Sequence, residues 1–164
     1  MRHYCTVWIG LLVVGLAMLA APCLAAQATA QAGATICPGL AITNVKGLEF
    51  GVIAPEAAGN VVVSPSGSRT ASGGLKLLDS GDTEFAAEFA VAGAIGATYS
   101  VGLPSTISIT CGSHTMTVGE FAASPAGNLA GGSEVLRVGA TLAVEANQPP
   151  GRYTGSFEVT VNYN

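Results

Sequence analysis

Few side chains in this sequence are of a type that does chemistry, and each stands in a context that favours a plainer role. Beyond the first 26 residues the only histidine is His114, in Gly112-Ser113-His114-Thr115. A nucleophilic triad would need an activated serine and a carboxylate beside it, and the chain has no Gly-x-Ser-x-Gly elbow. His114 therefore reads as part of a hairpin turn. Asp79, Asp82 and Glu84 cluster in Leu78-Asp79-Ser80-Gly81-Asp82-Thr83-Glu84 and could offer oxygen ligands to calcium. Their spacing misses the EF-hand loop, and Asp with Gly is ordinary turn chemistry. Glu145 and Glu158 could pass for the paired carboxylates of a glycosidase, but Arg137 and Arg152 on the same faces make surface ion pairing the simpler expectation. The Gly-Gly pairs at 73–74 and 131–132 follow no nucleotide-binding layout. No catalytic, metal-binding or cofactor-binding residue is assigned, and the expectation is that the protein is not an enzyme.

Two further classes fall on composition. The chain has 164 residues, 49% hydrophobic but only 10% charged and 6% aromatic, so it is apolar through small residues. Six Lys and Arg are scattered singly in a net charge of -4, which leaves no basic patch to hold a phosphate backbone. The absence of long Glu, Lys or Gln runs also argues against a coiled coil or a disordered acidic tail.

Residues 1–26 have the three-part layout of an export signal. Arg2 opens it, Val7 to Ala21 is free of charge, and Cys23, Ala25, Ala26 and Ala28 offer cleavage after Ala25, Ala26 or Ala28. The apolar run is short for a membrane span, and no later stretch reaches the roughly 20 apolar residues a span requires. Export leaves Cys37 and Cys111. Two cysteines outside the cytoplasm most simply form one disulfide, here closing a loop of about 75 residues for roughly 4 kcal/mol of chain entropy. The alternative is two unpaired buried thiols.

The remainder reads as strands. Phe85, Ala87, Phe89 and Val91 lie on one face with Glu84 and Glu88 on the other, and Tyr99, Val101 and Leu103, then Ile107, Ile109 and Cys111, then Met116 and Val118 repeat the alternation. Val61 with Val63, and Leu75 with Leu77, mark strands on either side of Pro65-Ser66-Gly67-Ser68. Turn clusters recur at spacings near ten residues, as in an antiparallel sandwich or barrel. The last hairpin is the clearest: even positions Leu136 to Ala146 are apolar, Asn147-Gln148-Pro149-Pro150-Gly151 breaks the run, and odd positions Tyr153 to Tyr163 take over. A slip of one residue would invert that face, so the register is tightly specified. The fold expected is an all-β, immunoglobulin-like antiparallel β-sandwich of seven to nine strands over residues 37–164.

Residues 27–36 precede that domain. Ala28, Ala30, Ala32, Ala34 and Ile36 alternate with polar or small residues. The segment reads either as an Ala-rich leader or as a donor strand that completes a neighbour's sheet.

Leu48-Glu49-Phe50-Gly51, Phe89-Ala90-Val91-Ala92-Gly93, Val138-Gly139-Ala140-Thr141-Leu142 and the closing run from Gly151 to Tyr163 resemble a bacterial secreted family, the domain-of-unknown-function 4402 family, over essentially the whole chain after the signal. The ending is also similar to chaperone–usher pilins and spore-coat-U-like subunits, which place a Gly fourteen residues from the terminus and a Tyr next to last. Gly151 and Tyr163 hold those places. This resemblance implies that residues 28–36 are the donor. It implies that Gly151, Tyr153, Phe157, Val159, Val161 and Tyr163 belong to the strand that a periplasmic chaperone pairs with and that borders the acceptor groove. The partners implied are other copies or sister subunits, the chaperone and an outer-membrane usher. The chain departs from pilins in the wide separation of its cysteines and in a donor built of Ala.

Three functions follow for comparison: a structural subunit of a surface fibre or coat, a self-contained adhesin-like binding module, and an extracellular hydrolase. The second would favour exposed aromatic platforms, yet Tyr99, Tyr153 and Tyr163 all fall on inward faces and no Trp follows the signal. The third lacks a nucleophile and base. The expectation is the first, exported through the periplasm to the cell surface.

Overall fold

A computed structural model describes residues 26–78, 84–125 and 127–164. Residues 1–25, nearly all of the segment expected to be an export signal, and most of the Asp79–Glu84 cluster lie outside the described residues. Residues 35–164 form one compact unit, an all-β antiparallel sandwich with nine strands among the described residues. They are β1 (Ala41–Lys46), β2 (Val52–Val63), β3 (Arg69–Leu78), β4 (Ala87–Ala92), β5 (Tyr99–Gly102), β6 (Thr106–Cys111), β7 (His114–Ser124), β8 (Ser133–Val144) and β9 (Thr160–Tyr163).

Alternation sets these strands as expected. Along β8 every even residue from Leu136 to Val144 is buried, and in β2 Val61 and Val63 are buried while Val62 is exposed. The backbone ladder needs only period two, and this sequence supplies it with small and β-branched residues that pack on a pleated surface.

β8 organises the molecule. Its first half pairs with β4 (Phe89 opposite Leu136) and its second half with β2 (Val61 opposite Leu142), while β7 runs along its other edge. β1 lies outside β4, β3 outside β2 and β6 outside β7. Sharing one long strand in this way gives two cores. One gathers Phe50, Val61, Val63, Leu75, Val118, Leu142 and Val144. The other gathers Phe89, Val91, Tyr99, Leu129, Leu136, Val138 and Val159.

The closing strand overturns one expectation. Residues 152–163 do not fold back on β8 as a hairpin. Thr160 to Tyr163 pair with β5, and Thr154 exchanges both backbone hydrogen bonds with Thr110 of β6, at 2.8 and 3.0 Å. The segment through Pro149 and Pro150 is a crossing rather than a tight turn. Two prolines without N–H groups cannot continue a ladder, so the chain leaves the β8 sheet there. Arg137 and Arg152 accordingly find other carboxylates than Glu145 and Glu158: Arg137 pairs with Glu88 at 3.0 Å and Arg152 with Glu49 at 3.2 Å.

The bridge expected between Cys37 and Cys111 is also absent, and both are free thiols. The Tyr163 hydroxyl donates to the carbonyl of Pro38 at 3.0 Å, which fixes Cys37 near the end of the last strand. Cys111 lies one residue past the Thr110–Thr154 pair, near that strand's beginning. Nine residues of extended chain separate Thr154 from Tyr163, about 30 Å. A disulfide needs Cα atoms within about 7 Å.

Candidate functional site

A groove of about 1060 Å³ lies between two stretches of backbone, Gly47–Ile53 on one side and Gln148–Phe157 on the other. Its floor is the inward face of the sheet: Ile107 and Ile109 of β6, Met116 and Val118 of β7, Leu142 and Val144 of β8. Local sequence explains the opening. β8 ends at Val144, and Asn147, in a left-handed conformation (φ 61°), with Pro149 and Pro150 turns the chain out of the sheet. The start of β2 then pairs with β3 alone, since β2 meets β8 only from Gly59 onward.

The wall at Gly47–Ile53 is held from behind. Glu49 exchanges backbone hydrogen bonds with Phe85 at 3.0 and 3.1 Å, and the almost fully buried Arg69 guanidinium donates to the Phe50 carbonyl at 3.0 Å and pairs with Glu84 at 3.5 Å. Gly51 is required here twice over: its φ is +74°, and a Cβ would fall 2.3 Å from the Arg69 Nη1. The opposite wall is tied by Tyr153, whose hydroxyl donates to the Pro149 carbonyl at 2.9 Å and receives the Gln148 amide at 2.9 Å. Phe157 closes the groove toward the second core, packing at a tilt against Phe121 (5.1 Å) and meeting Phe89 edge-on (6.2 Å). The exposed Arg152–Glu49 pair joins the two walls.

The edge of the last strand carries the chemistry of this site. Thr154 spends its N–H and C=O on Thr110, and in an antiparallel strand the groups of alternate residues point to opposite edges. The backbone groups of Tyr153 and Gly155 are thus turned to the groove side, where no strand pairs with them among the described residues. The groove offers an apolar floor and a backbone edge, which is what an added β-strand uses.

The chain belongs to the DUF4402 family. The match to this domain of unknown function spans residues 40–163. No curated protein and no solved structure matches the chain.

The DUF4402 domain places the expected residues unevenly. Gly151, Tyr153 and Phe157 line the groove, whereas Val159, Val161 and Tyr163 lie beyond it against the second core. Tyr163 is 39% exposed rather than inward; its hydroxyl accepts from Ala94 N at 2.8 Å and donates to Pro38. Tyr99 is buried at 2% exposure and donates to the Glu134 carboxylate at 2.6 Å; burial first, then that hydrogen bond and the carboxylate's charge push its pKa up to about 12. Ala28, Ala30, Ala32, Ala34 and Ile36 carry no strand, and Ile36 is 95% exposed. His114 sits beside the Gly112-Ser113 turn of the β6–β7 hairpin. Among the described residues no three His, Cys, Asp or Glu side chains converge to hold a metal. The Gly47–Ile53 wall was not foreseen; its signal was Leu48-Glu49-Phe50-Gly51, where an apolar, acidic, apolar run ends in a glycine.

Proposed function

We propose that this protein is a non-enzymatic, pilin-like or coat-like subunit of a bacterial surface fibre, assembled by strand exchange. Residues 28–36 of one copy fill the groove of the next. The observation that carries this reading is the unfilled apolar groove along the Gly151–Phe157 edge, in a chain that also owns an unpaired alternating segment. The segment is long enough: the groove edge is about 20 Å long, and nine extended residues reach about 30 Å. Ile36 is the anchor, adding roughly 1.5–3 kcal/mol on burial against less than about 1 for each Ala. Backbone hydrogen bonds to the Tyr153 and Gly155 edge add about 0.5–1.5 kcal/mol each. Export through the periplasm, a chaperone that occupies the groove in transit and an usher that exchanges it for the donor belong to the same proposal.

The test compares the exported chain with one lacking residues 28–36, by light-scattering mass and by denaturing gels run without boiling. A heat-sensitive ladder lost on deletion is the expected result. A monomer that melts cooperatively with or without the segment would leave instead a self-contained binding module, with the groove open to a ligand.

A further inference from the structure

Cys37 and Cys111 are too far apart to pair within a chain, yet each stands where a neighbouring copy would meet it. Cys37 is exposed and directly follows the 28–36 segment, and Pro38 after it is anchored by the Tyr163 hydroxyl. Cys111 ends β6 on the same row as Ile107 and Ile109, which form the groove floor. Its thiol lies at the groove rim against Gly151: a Cβ added there would sit 2.5 Å from the sulfur and push the thiol aside.

We infer that Cys37 of each copy forms an intermolecular disulfide with Cys111 of the copy whose groove its residues 28–36 fill. This rests on the strand-exchange reading and adds a covalent seal and a direction to it. Every strand pair among the described residues is antiparallel. An incoming strand antiparallel to the last one starts near Phe157 and leaves at Gly151, which delivers Cys37 to the rim beside Cys111. Pro38 ends the ladder there and frees Cys37 from the strand's alternation. A parallel strand would leave Cys37 at the Phe157 end, about 20 Å away. A chain filling its own groove fails equally, because Pro38 is fixed at the Tyr163 end. The contact is therefore heterologous, Cys37 of one copy to Cys111 of the next, and repeats into an open chain of copies wherever it does not close into a ring.

The chemistry is thiol–disulfide exchange. One thiolate attacks a disulfide-bearing oxidant of the exported compartment, and the second thiolate displaces it from the mixed disulfide. Two thiols lose two protons and two electrons, one S–S bond forms, and the oxidant's S–S bond is reduced to two thiols.

The experiment uses the exported full chain, alkylated with N-ethylmaleimide on harvest and run on denaturing gels with and without boiling and reductant. The expected result is a ladder that survives boiling without reductant and collapses to monomer with it. Cys37→Ser or Cys111→Ser alone should cut the boiled ladder more than tenfold while the unboiled ladder persists. Co-expressing the two variants should restore a covalent dimer and nothing longer. An unboiled ladder with both thiols alkylated, or with a Cys111–Cys111 peptide in the mass spectrum, overturns the disulfide and leaves strand exchange standing. No ladder of either kind overturns both.

Discussion

The two cores are built from the same kinds of residue on the same alternating pattern, yet one is closed and the other is open. Around Leu136, Val138, Val91 and Leu129, all at 0% exposure, β4 and the paired β5–β9 strands are packed closely. Around Ile107, Ile109 and Met116 the sheet is equally apolar, but those residues stay half-buried beneath the groove between Gly47–Ile53 and Gly151–Phe157, where no strand lies among the described residues. The difference lies in the number of strands above the sheet, not in the side chains of the sheet. On the strand-exchange proposal, this open side is where the donor strand of another copy would pack.

The sharpest way to break that comparison is to hollow out each side in the unassembled monomer. Leu136→Ala should cost about 2–5 kcal/mol in denaturant unfolding, because the closed core cannot collapse around the void. Ile109→Ala should cost about 1 kcal/mol, since its side chain already meets the open groove. Equal costs would mean that the groove is filled in the monomer. Next, Gly93→Ala should cost about 1–3 kcal/mol, because its Cβ would meet the Tyr163 hydroxyl at 2.3 Å and Leu129 at 2.9 Å. Loss of hydrogen-exchange protection at Ala94, whose amide that hydroxyl accepts, checks the cause.

Tyr99 marks the closed side by pH. Its phenol is held neutral up to about 12, mainly by burial and then by Glu134, against about 10 in the unfolded chain. Below pH 10 both states keep the proton and this contribution is complete. Between 10 and about 12 only the unfolded state loses it, so stability falls as pH rises, by up to about 1.4 kcal/mol per pH unit for one proton. Denaturant midpoints across that window, with Tyr99→Phe as the flatter control, measure it. The smallest effect belongs to Arg152→Ala: the exposed ion pair with Glu49 should contribute under about 0.5 kcal/mol, and a larger loss would mean that it holds the groove walls together.

Strand positions and inward faces were legible because period two is a local signal, as Leu136 to Val144 shows. Partners were not. Alternation at Tyr153 to Val161 says which side chains face inward, with Tyr163 the exception, but not which strand lies alongside, and the nearest apolar strand in sequence, β8, was the wrong one. The signal against it was Pro149-Pro150, two residues that cannot carry a ladder around a hairpin. The same limit governs Cys37 and Cys111, whose count suggested a bridge while their distance depends on where the last strand runs. The groove was half legible: its Gly151–Phe157 wall stood out by regularity, whereas Gly47–Ile53 joins it only through a long-range contact.

The central claim is that residues 28–36 become a strand in another copy. Hydrogen–deuterium exchange of the exported full chain, followed across a concentration series, tests it most directly. The account predicts that amides of 28–36 and of Tyr153 and Gly155 gain protection together, in proportion to the oligomer fraction. Exchange of 28–36 at the unstructured rate in every species, oligomers included, would contradict it.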